Sequence, residues 1–170
     1  MPYLRPGGDG PGGAWREEAR ARGRRGGQRI VHAGEVPAPE VVAGLLGVAE
    51  GSLVVVRRRI MYADEEPVEL TDAYFPLHIA RGTPLAAPAK IPGGAVALLA
   101  GLGHVGHLVR EDVTARMPTD EERALLGAAR DEPVLQLARL TLDREKRPVE
   151  ADVMVMPAAR RRLRYELRPD

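Results

Sequence analysis

The alternation of apolar and polar positions divides the chain into strands with brief helices between them. Residues 28–36, QRIVHAGEV, read as a first strand that Pro37 and Pro39 end. Pro39 and Glu40 open a helix that runs to Leu46. Proline suits a first helical turn, and a carboxylate suits the positive end of the helix dipole. Residues 53–63, LVVVRRRIMYA, form a long strand, 64–67 a turn and 68–75 the returning strand of a hairpin. AVALLAGL at 95–102 is a wholly apolar helix closed by Gly103. Residues 107–117 are another strand, and Thr119 with Glu122 forms a capping box for the helix that follows. Residues 133–142 and 148–156 pair as a second hairpin around DREKR, and 162–167 can add a last strand. The fold class is α+β, with an antiparallel sheet and helices packed on it.

The first hairpin strand raises a question, because four aliphatic residues run straight into Arg57, Arg58 and Arg59. Side chains alternate faces along a strand. Leu53, Val55, Arg57, Arg59 and Met61 therefore share one face, and Val54, Val56, Arg58, Ile60 and Tyr62 the other. Both faces begin apolar, so both are covered. The arginines then sit at a sheet margin, as solvated strand ends paired with carboxylates, or line a wet pocket. Pattern alone favours the margin.

Composition changes the picture in two places. Hydrophobic residues are 44% of the 170 and aromatics only 4%, so the core is built mostly of Leu, Val and Ala. There is no cysteine, which excludes disulfides, zinc–thiolate sites and a thiol nucleophile. No stretch is long and apolar enough for a membrane span or a signal peptide, which points to the cytoplasm. The net charge of +1 is unevenly placed. Residues 1–29 hold seven Arg against Asp9, Glu17 and Glu18, a net of +4, and the remainder carries −3. This basic, Gly- and Pro-rich arm reads as a flexible linker over 1–27 with at most a short helix near Trp15, ahead of one domain over 28–170.

Motifs for chemistry are sparse. His104-x-x-His107 with Glu111 has metal-ligand spacing, but Gly103 and Gly106 flank it, and it reads as a loop before a strand. Ser52, the only serine, lies in a turn, which leaves a Ser-His-Asp arrangement without support. Gly101-x-Gly103-x-x-Gly106 follows a helix, where a dinucleotide fingerprint follows a strand. No catalytic residue, metal site or cofactor is assigned.

An ordered set of segments resembles the UTRA domain, the effector-binding half of HutC-branch GntR-type bacterial transcription regulators. The segments are VPAPEVVAGLL, VVVRRRIMYADEEPVELTDAYFPLHIARGTPL, ALLAGLGHVGHLVREDVTARMPTDEERALLG, PVLQLARLTLDREKRPVEADVMVMP and RRRLRYEL. The resemblance implies a chorismate lyase-like fold, a homodimer and a small, often anionic effector. It also implies DNA binding only through a winged helix-turn-helix that this chain does not contain. Alternatives are a chorismate lyase-like enzyme and a stand-alone ligand-binding or dimerisation partner.

The resemblance also implies site residues. The family's Arg-x-Arg pair falls on Arg59 and Met61, so one of the two guanidinium groups is missing. Where sugar-phosphate-binding members carry a glutamate, this chain has Thr71. Where they carry a tyrosine, it has Met156. The family's Pro-Val-Glu places Glu150, and its Tyr-x-Pro places Tyr74. The expected effector-binding set is Arg59, Met61, Thr71, Tyr74, Glu150 and Met156. These departures imply a less charged, more apolar effector, such as a zwitterion.

Overall fold

A computed structural model describes residues 13–21 and 23–164. Six antiparallel strands form one sheet in the order β1-β2-β3-β6-β5-β4. They are β1 (Gly26–Pro37), β2 (Leu53–Ala63), β3 (Glu66–Pro76), β4 (Leu108–Arg116), β5 (Val134–Leu142) and β6 (Pro148–Pro157). The two hairpins stand where alternation put them. The first turns more tightly than expected, with Asp64 in the left-handed region at φ 57°, so β3 begins at Glu66. The proposed strand at 162–167 does not form over its described part. Residues 161–164 have no regular structure, and 165–167 lie outside the described residues.

Both faces of the sheet are covered, as the doubly apolar start of β2 requires. One face packs Val54, Val56, Tyr74, Leu140, Leu142 and Ala151 against Val42, Ala43 and Leu46 of helix α2 (Glu40–Leu46). Helix α5 (Asp120–Leu126) covers the rest of that face through Leu126, which meets Val134 and Val155. The capping box forms: Thr119 Oγ1 accepts from the Glu122 amide at 3.1 Å, and the Glu122 carboxylate accepts from the Thr119 amide at 2.8 Å. The opposite face packs Val55, Ala73, Phe75 and Val149. Above them lie helix α3 (Leu77–Ala80), a 3-10 turn at Pro84–Ala86, and helix α4 (Gly94–Gly101). Helix α4 is apolar on every side yet buries only Leu99 fully.

The N-terminal segment differs from a linker where it is described. Gly13–Ala21 forms helix α1, which packs on β1, and β1 starts at Gly26, inside the expected arm. Ala19 is buried, and the Trp15 indole N–H donates to the Tyr62 carbonyl at 3.0 Å. A Cβ on Gly26 would lie 2.9 Å from the Arg16 Cα, so glycine is what lets helix and strand come this close. Arg24 then ties the chain to the hairpin turn, donating to Asp64 and Glu66 at 2.9 Å and to the Ala63 carbonyl at 2.7 Å.

Candidate functional site

Strand register brings charged groups together on the face beneath α4. Arg57 aligns with Ala73, Asp152, Arg139 and Glu111 across five strands. The adjacent row is Arg59, Thr71, Met154, Leu137 and Val113. Alternation adds Glu150 beside Asp152 and Glu69 beside Thr71. Arg139 and Glu111 close an ion pair at 2.7 Å.

The two arginines of β2 on this face are in opposite circumstances. Arg57 is 5% exposed. Its Nη1 donates to the carbonyls of Pro84, Leu85 and Ala87 at 3.0, 3.1 and 2.6 Å, and its Nη2 to that of Ala89 at 2.9 Å. It pins residues 84–89, which lead into α4, onto the sheet. Burial lowers its pKa, and the charge of Arg59 adds to that. Arg59 makes no hydrogen bond or ion pair among the described residues, and its Nε is buried without a partner. A buried donor left unpaired costs roughly 1–3 kcal/mol, so its persistence in a fold calls for a function.

Two clefts open on either side of α4, each enclosing about 400 Å³ with its open mouth. One is lined by Gln28, Arg57, Arg59, Lys90 and Ala95, and is cationic. The other is lined by Leu99, His104, Gly106, Thr141, Val149 and Glu150. Gln28 Oε1, Arg59 Nε and Thr141 Oγ1 are buried without a partner among the described residues, and all three belong to cleft-lining residues. Burial raises the pKa of Glu150; neighbouring Asp152 raises it further, while Arg59 and Arg139 pull it down. Burial also raises that of Asp152, with Arg139 and Arg59 opposing and Glu69 and Glu111 adding. Two crowded, desolvated carboxyls hold a proton readily, or accept a cationic or hydroxyl donor in its place.

Of the residues expected from sequence, Arg59, Thr71 and Glu150 share this face, but only Arg59 and Glu150 line a cleft; Thr71 is buried and lines neither. Tyr74 does not share the face, which corrects its assignment. It lies three residues from Thr71, on the other side of the strand. It packs in the α2 core, and its hydroxyl donates to Asp72 at 3.2 Å. Its pKa is pushed up to about 12, first by burial and then by Asp72. Arg58 shares that opposite face, where it donates to both Asp72 oxygens, at 2.8 Å for its shortest contact. Met61 and Met156 are buried and line neither cleft; Met156 packs on Leu137, Met154 and Leu163 as core. Sequence reasoning missed Gln28, Arg57, Thr141 and Asp152. Alternation from Arg59 and Glu150 could have flagged Arg57 and Asp152. Gln28 and Thr141 carry no such signal, because strand pairing alone brings them here.

Comparison with known proteins agrees with this architecture. The family model for the UTRA domain matches residues 21–162. The HTH-type transcriptional regulator SCO4628 of Streptomyces coelicolor is 31% identical over 157 residues, covering 89% of this chain and 58% of that protein. The HTH-type transcriptional regulator GgaR of Escherichia coli K12 is 29% identical over 137 residues, 78% of this chain and 51% of that one. The chain thus spans about half the length of the curated relatives it matches. The crystal structure of the effector domain of PhnF from Mycobacterium smegmatis superposes with a TM-score of 0.71 at 26% identity, covering 92% of this chain and 93% of that one. A single antiparallel sheet with helices on both faces, matched by the family model over residues 21–162, establishes that this chain belongs to the UTRA domain family, the effector domains of GntR-type transcription regulators.

Proposed function

We propose that this domain senses a small anionic or zwitterionic effector in the clefts beside α4, and thereby governs DNA binding by the winged-helix half of a GntR-type regulator. The observation that carries the reading is the set of unpartnered polar groups there: Arg59 Nε and Gln28 Oε1 on one side, Thr141 Oγ1 on the other. Arg59 supplies a charge-assisted donor to the anionic end. Glu150, beside Asp152, accepts from an ammonium or hydroxyl end. Helix α4 offers the apolar body a roof. The absence of a second arginine at Met61 and of a glutamate at Thr71 disfavours a sugar phosphate.

The domain binds its ligand without converting it, in keeping with relatives that are transcription regulators. It works as a homodimer in the cytoplasm. Among the described residues, no helix is long and apolar enough to cross a membrane. Leu102, Val105 and Leu108 are exposed along the α4–β4 connection and the start of edge strand β4, apolar side chains suited to a second copy. Light scattering at tens of micromolar should give twice the monomer mass.

A thermal-shift screen of amino acids, amino sugars and sugar phosphates tests the ligand class. Zwitterions should raise the melting temperature, and Glu150→Gln should remove the effect. Tighter binding of phosphate esters, or release of 4-hydroxybenzoate from chorismate, would overturn the reading.

A further inference from the structure

A continuous chain of polar contacts runs from the cleft face to helix α1. Thr71, beside Arg59 in the register, donates its hydroxyl proton to Glu69 Oε1 at 2.7 Å. The other oxygen of Glu69 accepts from Arg161 Nη2 at 3.2 Å, and both side chains are nearly buried. The Arg161 guanidinium lies 5.6 Å over the Trp15 ring. Trp15 in turn holds α1 to the Tyr62 carbonyl at the end of β2.

Thr71 has one proton to give. In the structure it goes to Glu69. Thr71 is itself buried and lines neither cleft; it stands next to the cationic one only as the register partner of Arg59, and an acceptor atom that reaches past Arg59 competes for the same proton. When the acceptor takes it, Glu69 loses a partner and is left to Arg161 alone, which changes the cation's hold on Trp15. A ligand shifts an equilibrium only through contacts that differ between the two states. The Thr71 proton is such a contact.

We propose that Thr71, Glu69 and Arg161 form a relay through which occupancy of the cleft alters the docking of α1, the helix preceding the sheet. The relay rests on the reading of the cleft as the effector site only for what occupies it. The coupling of Thr71 to Trp15 stands independently of that reading.

Trp15 is the chain's only tryptophan, so its fluorescence reports α1 docking without labelling. The test compares the full chain with Thr71→Val, Thr71→Ser and Thr141→Val by acrylamide quenching of Trp15 and by hydrogen exchange of the 13–21 amides. Thr71→Val keeps shape and removes the proton; Thr71→Ser keeps the proton. Thr141→Val removes a buried hydroxyl of the same face off the relay. Couplings of this kind shift equilibria by about 2- to 30-fold. Thr71→Val should therefore speed α1 exchange by at least about twofold and raise quenching. Thr71→Ser and Thr141→Val should match the parent. Equal behaviour of the Val and Ser variants, or loosening by Thr141→Val alone, overturns the relay. If Thr71→Val fails to fold, Glu69→Gln carries the same comparison: it should loosen α1, and an unchanged Trp15 overturns the relay. A failed relay leaves calorimetric binding at Arg59 intact. A failed effector reading shows as absent binding with the Thr71-to-Trp15 coupling still measurable.

Discussion

Replacing Arg57 by methionine should lower stability and replacing Arg59 should not, although the two side chains are neighbours on one face. Methionine keeps the length of the stem and discards the guanidinium. In Arg57→Met the protein loses bonds to four carbonyls. The two protons on Nη1 serve three of those acceptors, so about three protons are engaged. Charge-assisted bonds are worth roughly 1.5–3 kcal/mol each, but burial of the cation offsets part of that. A net loss of about 3 kcal/mol is expected, together with release of residues 84–89 from the sheet. For a domain of this size that corresponds to a fall of about 6–12 °C in melting temperature. Arg59→Met removes an unpartnered buried donor instead, and should leave the melting temperature unchanged or raise it by a few degrees. Differential scanning calorimetry at pH 7 without ligand reads both. An Arg57→Met protein melting within about 2 °C of the parent, or an Arg59→Met protein falling as far as Arg57→Met, would refute the division into anchor and free donor.

The carboxyl pair gives a pH dependence. Glu150 and Asp152 have raised folded pKa values, so between the ordinary carboxylate range and those values the folded state holds more protons than the unfolded one, and stability falls as pH rises. Glu150→Gln should therefore raise the melting temperature more at pH 8 than at pH 5 without ligand, and an equal gain at both would count against the shift. Removing residues 1–22 deletes the Trp15 hydrogen bond and the Arg161 contact, and should cost about 2 kcal/mol, seen as an earlier urea midpoint with cooperativity retained. Gly26→Ala should do much the same in the full chain, because its Cβ would meet the α1 backbone.

What could be read from the sequence was local. The capping box at Thr119 and Glu122, helix α2 and both hairpins follow from residues within a few positions of one another. Strand parity separated Arg57 and Arg59 from Arg58, and the structure keeps that separation. It could not say what each arginine meets, since the carbonyls that cage Arg57 come from about 30 residues away. Tyr74 was misplaced because a family motif was followed over the parity of its own strand. Met156 shares the parity of Glu150, yet the segment carrying Leu163 packs over it and makes it core. The docking of α1 left little trace in composition, because it depends on a single Trp, a small Ala and a glycine on the facing strand.

Calorimetry of Arg59→Ala beside Arg58→Ala, with a ligand found in the thermal-shift screen, tests the site most directly. Arg59 supplies a charge-assisted contact, so its loss should weaken binding by about ten- to a hundredfold while the fold survives. Arg58 faces away and is occupied by Asp72, so its loss should change affinity by less than about threefold. Abolished binding in Arg58→Ala with unchanged binding in Arg59→Ala would put the effector on the other face of the sheet and contradict the assignment.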